Sequence, residues 1–216
     1  MQIYVIKGIE ENLNDKFEIQ QGLNKSDLTV IPFGVCEEIN YRKQLSGSSK
    51  QLVTLGRVCK ARGGILLVGA TSDNCGIKRK SVFVFEEGKL ISICDMNCYE
   101  QKLSSAYGCK IINASGVKIG VLVDKDLFLP EAIKAFTYCG CGAIINLYAD
   151  LLPKKASVAA EFYSYVYGVD TAVVASDKNC AFNACGEQIR FFNECVLTCK
   201  SNFKEVKIKK RGTFNI

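Results

Sequence analysis

Residues 116–136 read GVKIGVLVDKDLFLPEAIKAF. Lys118 to Val123 has the apolar character of a buried strand, and the charged triplet Asp124-Lys125-Asp126 breaks it. Pro130 then opens a helix, at the position where its missing N–H costs nothing. A strand, a sharp turn and a helix lift one side chain clear of a sheet, and α/β enzymes place nucleophiles on such turns. The stretch therefore predicts an α/β fold with a candidate functional turn after Val123.

Working outward, the chain alternates strands and helices. Gln2–Lys7 predicts a strand, Glu10–Gly22 a short polar helix, and Leu28–Ile31 a strand ending at Pro32. Lys50–Lys60 carries Leu52, Leu55 and Cys59 at amphipathic-helix spacing. Ile65–Gly69 is an apolar strand. Ser81–Phe85 and Lys89–Ile93 flank Glu86-Glu87-Gly88, a hairpin with glycine available for a positive φ. Lys110–Asn113 predicts a strand, Ala143–Leu147 a buried strand, Ser157–Tyr167 a helix and Thr171–Ser176 a strand. Gln188–Phe192, Cys195–Cys199 and Lys204–Ile208 predict a closing meander. No linker or repeat interrupts this order, which predicts a single domain over residues 1–216.

Composition narrows the chemistry. The chain has no histidine, which excludes Ser-His and Cys-His catalysis and histidine-ligated metals. Its twelve cysteines include no CxxC pair, so free thiols are expected rather than a zinc site, and no metal or other cofactor is predicted. No apolar run is long enough to span a bilayer, and MQIYVIKGIEEN lacks the pattern of a signal peptide. A cytoplasmic protein without a membrane partner is the expectation. The net charge is +6, densest in the tail KEVKIKKR (Lys204 to Arg211). Its alternation with Val206 and Ile208 reads as a solvated strand face, without the interleaved aromatics of a nucleic-acid site.

Gly120, Val121, Val123, Asp126, Pro130 and Glu131 match the frame of the nucleophile strand in the nitrilase, or carbon–nitrogen hydrolase, superfamily. The resemblance extends over about Leu28 to Lys209: GILLVG, the hairpin EEGKLISI, ASVAAEFYSYVYGVDTAVVAS and GEQIRFF fall in the family's order. It implies a four-layer α-β-β-α sandwich, shortened at Gly34–Gly47 and at Met96–Gly116. It also implies hydrolysis of amides or nitriles by a cysteine nucleophile, a glutamate base and a lysine that stabilises the oxyanion.

None of the three residues is kept. The glutamate position after Pro32 is Phe33, the lysine position after the hairpin is Met96, and the cysteine position is Asp124. If the hairpin exit shifts by a few residues, Lys89 or Lys102 reaches the lysine position. Phe33 and Met96 are bulky and apolar, which predicts a partly filled pocket. Asp126 matches a family aspartate that is mainly structural.

The expected function is thus a carbon–nitrogen hydrolase-like protein, catalytically inactive and kept for binding or assembly. The alternative is an active hydrolase of a small amide or nitrile, drawing on Asp124, Lys125, Glu37, Glu38 or the Cys36 thiol. Cys94 and Cys141 are further thiols near the expected site. The family's habit of dimerising implies a homodimer or higher oligomer, or pairing with an active relative. Phe17, Phe162, Tyr163, Tyr165 and Tyr167 are the candidate interface aromatics.

Overall fold

The computed structural model describes residues 1–6, 27–98, 108, 110–114 and 116–199. The expected helix at Glu10–Gly22 and strand at Lys204–Ile208 lie outside these residues, as do Phe17 and Lys102. The first half comprises β1 (Gln2–Val5), β2 (Leu28–Ile31), β3 (Ile39–Asn40), α1 (Tyr41–Leu45), α2 (Gln51–Arg62), β4 (Ile65–Asn74), β5 (Ile77–Glu86) and β6 (Lys89–Asp95). The second comprises β7 (Lys110–Ala114), β8 (Val117–Val123), a 3-10 turn (Asp124–Phe128), α3 (Pro130–Tyr138), β9 (Ala143–Leu147), α4 (Lys154–Tyr167) and β10 (Asp170–Val174). It closes with β11 (Asn179–Phe182), β12 (Gln188–Ile189) and β13 (Glu194–Val196).

Two sheets result. One has the order β13-β1-β2-β4-β5-β6, with β3 pairing the far end of β4; the other runs β12-β11-β10-β9-β8-β7. Strand alternation sends every second residue to each face. Ile3, Val30, Leu67 and Val84 from the first sheet meet Ile119, Val121, Ile145 and Ala172 from the second in one inner seam. The opposite faces are covered by helices. Leu55 and Val58 of α2 pack on Leu66 and Phe83, while Ile133 and Phe136 of α3 and Ala156 and Ala160 of α4 pack on Leu122, Ile144 and Val173. This is the expected four-layer α-β-β-α sandwich.

Glycine permits two close approaches that set the layer spacing. At Gly120 an added Cβ would lie 2.5 Å from the Phe136 ring, so α3 rests against bare backbone of β8. At Gly69 of β4 the added Cβ would lie 2.6 Å from the Phe33 ring. The hairpin read at Glu86-Glu87-Gly88 is present, with φ of 50° at Glu87 and 82° at Gly88.

Three readings change. The segment expected as the loop Gly34–Gly47 holds β3 and α1. β11, four residues long, gave too short a pattern to be read. The closing meander is not one: β12 pairs β11 in the second sheet, whereas β13 crosses to pair β1 in the first. The crossing is favoured because Cys195 lies opposite Ile3 and both bury their side chains in the inner seam.

Candidate functional site

The site is built where β8 ends. After Val123 the chain turns sharply, and Asp124 adopts φ +51°, a left-handed conformation that few residues other than glycine, asparagine and aspartate adopt readily. The Asn146 side-chain amide, from β9, donates to the Asp124 carbonyl at 3.0 Å. The Asp124 carboxylate is buried. One oxygen accepts from the Ala149 N–H at 3.1 Å, and the other pairs with Lys80 Nζ at 2.7 Å. Lys80 also lies 3.8 Å from the exposed Asp150 carboxylate.

Lys80 is the residue that sequence reasoning missed. Its strand was read from Ser81, but β5 begins at Ile77, which puts Lys80 on the same face as Val82 and Val84. The side chain therefore enters the seam and crosses to the second sheet. Strand parity was the available signal, but Lys80 lies one residue before the start of the strand as read.

Met96, read at the lysine position, sits beside this pair: its N–H donates to the Lys80 carbonyl at 2.9 Å, and its side chain is fully buried in the seam. Phe33 occupies the same seam, over Gly69. A lysine thus approaches the turn from β5, one strand away from the position read. Lys89 lies at the hairpin end of β6, in a groove against α2.

Asp126 has a different task. It is buried and accepts from the Asn97 N–H at 2.9 Å, the Asn97 side-chain amide at 3.0 Å and the Cys98 N–H at 2.9 Å. It therefore clamps the segment after β6 onto the 3-10 turn. Burial raises its pKa above the ordinary carboxylate range, against the lowering effect of those donors. The Cys98 thiol lies against the same carboxyl; desolvation, then the negative charge and hydrogen bond of Asp126, push its pKa up to about 11.

The remaining candidates scatter. Lys125 is half-buried in the turn itself. Glu37 is exposed, and Glu38 is held by Lys78 at 2.6 Å on the surface. Cys36 packs into the outer cluster under α2, where burial pushes its thiol up to about 11. Cys94 lies in the inner seam, raised to about 12, and Cys141 lies under α3, raised to about 11. Desolvation is the main cause in each case and opposes the thiolate that a nucleophile needs. Among the described residues no three cysteine or carboxylate side chains are placed to hold a metal ion.

The two-sheet, four-layer architecture is the fold seen in solved structures of the nitrilase, or carbon–nitrogen hydrolase, superfamily. Three solved structures carry that identification. A carbon–nitrogen hydrolase from Helicobacter pylori matches with a TM-score of 0.71 and 13% identity, covering 92% of this chain and 90% of its own. The Saccharomyces cerevisiae member of branch 10 of the superfamily matches at 0.68 and 16%, covering 87% and 84%. A Nesterenkonia amidase from the superfamily matches at 0.66 and 13%, covering 91% and 88%. Neither the known family descriptions nor the curated protein sequences give a match.

Proposed function

We propose that this chain is a carbon–nitrogen hydrolase-like protein that does not hydrolyse C–N bonds and serves in binding or assembly. The observation that carries the reading is the Asp124–Lys80 pair. A carboxylate occupies the turn where the resemblance places a thiol, and it is sealed from solvent by a lysine and a backbone N–H. A carboxylate buried this way, with each oxygen already accepting a hydrogen bond and one of them paired with an ammonium, is a poor attacking group. At the glutamate position the Phe33 ring supplies no proton acceptor.

Assembly is supported by α4. Its inner face holds Ala156, Ala160 and Tyr163, yet its outer face also exposes Val158, Phe162, Tyr165 and Val166. Of the interface aromatics read in the sequence, Phe162 and Tyr165 face solvent, whereas Tyr163 is buried and Tyr167 packs on the outer cluster of the second sheet. A second copy or an active relative stacking on α4 would cover that apolar strip.

The test is ammonia release from a panel of small amides and nitriles, with Asp124→Ala in parallel. Release at the blank level from both proteins is the expected result. Release that disappears in Asp124→Ala would overturn the proposal and make Asp124 a catalytic group. For assembly, sedimentation of the wild type and of Phe162→Glu with Tyr165→Glu should differ by one dissociation step.

A further inference from the structure

The helix layer over the first sheet carries an unusual charge pattern. From Tyr41 to Ser72 the sequence contains no aspartate or glutamate. Arg42, Lys43, Lys50, Arg57 and Lys60 are all exposed there, while Arg62 is buried and stacks over the Tyr4 ring at 4.6 Å. Among the described residues none of the five exposed cations forms an ion pair with a carboxylate. Lys78 of β5, by contrast, is held by Glu38.

Apolar side chains stand among these cations. Leu45, at the end of α1, is 89% exposed, and Val53 on α2 is 55% exposed. Leu90 and Lys89 extend the pattern onto β6, across a groove of about 470 Å³ that also contains Arg57 and Lys60. Gly56 and Gly88 meet on this groove, where an added Cβ at Gly56 would lie 2.4 Å from the Gly88 carbonyl oxygen. Glu87 is the acid on its wall.

We propose that this face docks on an anionic lipid surface. Phospholipid headgroups complement the exposed cations, and Leu45, Val53 and Leu90 enter the headgroup boundary. Clustered lysine and arginine flanked by exposed apolar residues is the physical signature of such contact. The charge is spread over α1, the following loop, α2 and the hairpin, which matches an extended sheet of charge better than a single ligand. Nucleic acid is disfavoured because α1 and α2 expose no aromatic ring for base stacking, Tyr41 being half-buried. Peripheral contact needs no spanning segment, in keeping with described helices too short and polar to cross a membrane.

The experiment is co-sedimentation of the full chain, at low salt, with phosphatidylcholine vesicles containing roughly one part in three phosphatidylserine. Pure phosphatidylcholine vesicles, poly-L-glutamate and a single-stranded oligonucleotide are the comparison probes. The expected result is binding to the serine lipid alone, weakened by salt and reduced about fivefold for each cation removed. Arg57→Glu with Lys60→Glu is the first variant and Lys43→Glu with Lys50→Glu the second, so misfolding of one leaves the other to decide. Leu45→Ser should weaken binding without changing its salt dependence. The proposal fails if the wild type ignores the anionic vesicles, or if both charge reversals bind as the wild type does. It also fails if poly-L-glutamate or the oligonucleotide binds equally well, since the face would then be a general polyanion surface.

Discussion

Gly120, on the outer face of the second sheet, and Gly69, on the inner face of the first, use the same device. Each removes a Cβ so that a phenylalanine ring can lie on bare strand backbone. At Gly120 the ring is Phe136, which anchors a helix on the outside of the second sheet. At Gly69 the ring is Phe33, which fills the inner seam where the resemblance expects a catalytic carboxylate. The difference teaches that similar packing can serve separate layers: one contact seats a helix on a sheet, and the other fills the seam between the two sheets.

Several perturbations would break or sharpen this comparison. The largest effects should come from Lys80 and the two rings. Lys80→Met leaves the Asp124 carboxylate buried without its cation and should cost about 3–5 kcal/mol in urea unfolding. Adding Asp124→Asn, which removes the charge while tolerating the left-handed backbone and keeping an acceptor for the Ala149 N–H, should recover most of that loss. Phe136→Ala and Phe33→Ala should each cost about 3–5 kcal/mol. If Phe33 only plugs a hole left by lost chemistry, its loss should alter stability without disturbing α3, as read by amide exchange.

Next in size are the glycines. Gly69→Ala and Gly120→Ala should each destabilise by about 1–3 kcal/mol through overpacking. In a double-mutant cycle, Gly69→Ala should become nearly neutral beside Phe33→Ala, and Gly120→Ala beside Phe136→Ala. Additive losses would separate the glycines from their rings and undo the comparison.

A pH effect should follow from Asp126. Its raised folded pKa means the folded state keeps a proton that the unfolded chain releases. Its contribution to stability is therefore complete below about pH 4 and declines as pH rises through the raised value. Melting temperatures of the wild type and Asp126→Asn, compared across that window, should show the slope only in the wild type. The smallest effect belongs to the exposed Glu38–Lys78 pair, where Glu38→Gln should leave the urea midpoint nearly unchanged because solvent and salt screen the pair.

Much of the fold was legible because residues 116–136 combine several local signals that agree. Val121 and Val123 alternate with Gly120 and Leu122, the charged triplet stops the strand, and Pro130 starts the helix. Phe33 and Met96, read as bulky and apolar, both lie in the inner seam. What stayed hidden depended on longer-range geometry. Lys80 lies one residue before the strand as read, and only the full length of β5 reveals that it points inward. Cys36 is near Phe33 in sequence but turns to the opposite face of its sheet. β13 gave no local hint of its destination, because its partner is almost the whole chain away.

That last pairing also dictates an order of assembly. The strands of the second sheet follow one another from Lys110 to Ile189 and can pair as successive parts of one stretch. The first sheet must hold β1 open along one edge until Glu194–Val196 arrives, when Ile3 finally meets Cys195. Asp170 then fastens the arriving segment, accepting from the Thr198 hydroxyl and the Cys199 N–H. Contacts between distant parts of a chain carry a large closure entropy and form late. During folding, β1 would therefore be among the last of the described strands to gain its full set of neighbours, leaving an exposed β edge until Glu194–Val196 pairs with it.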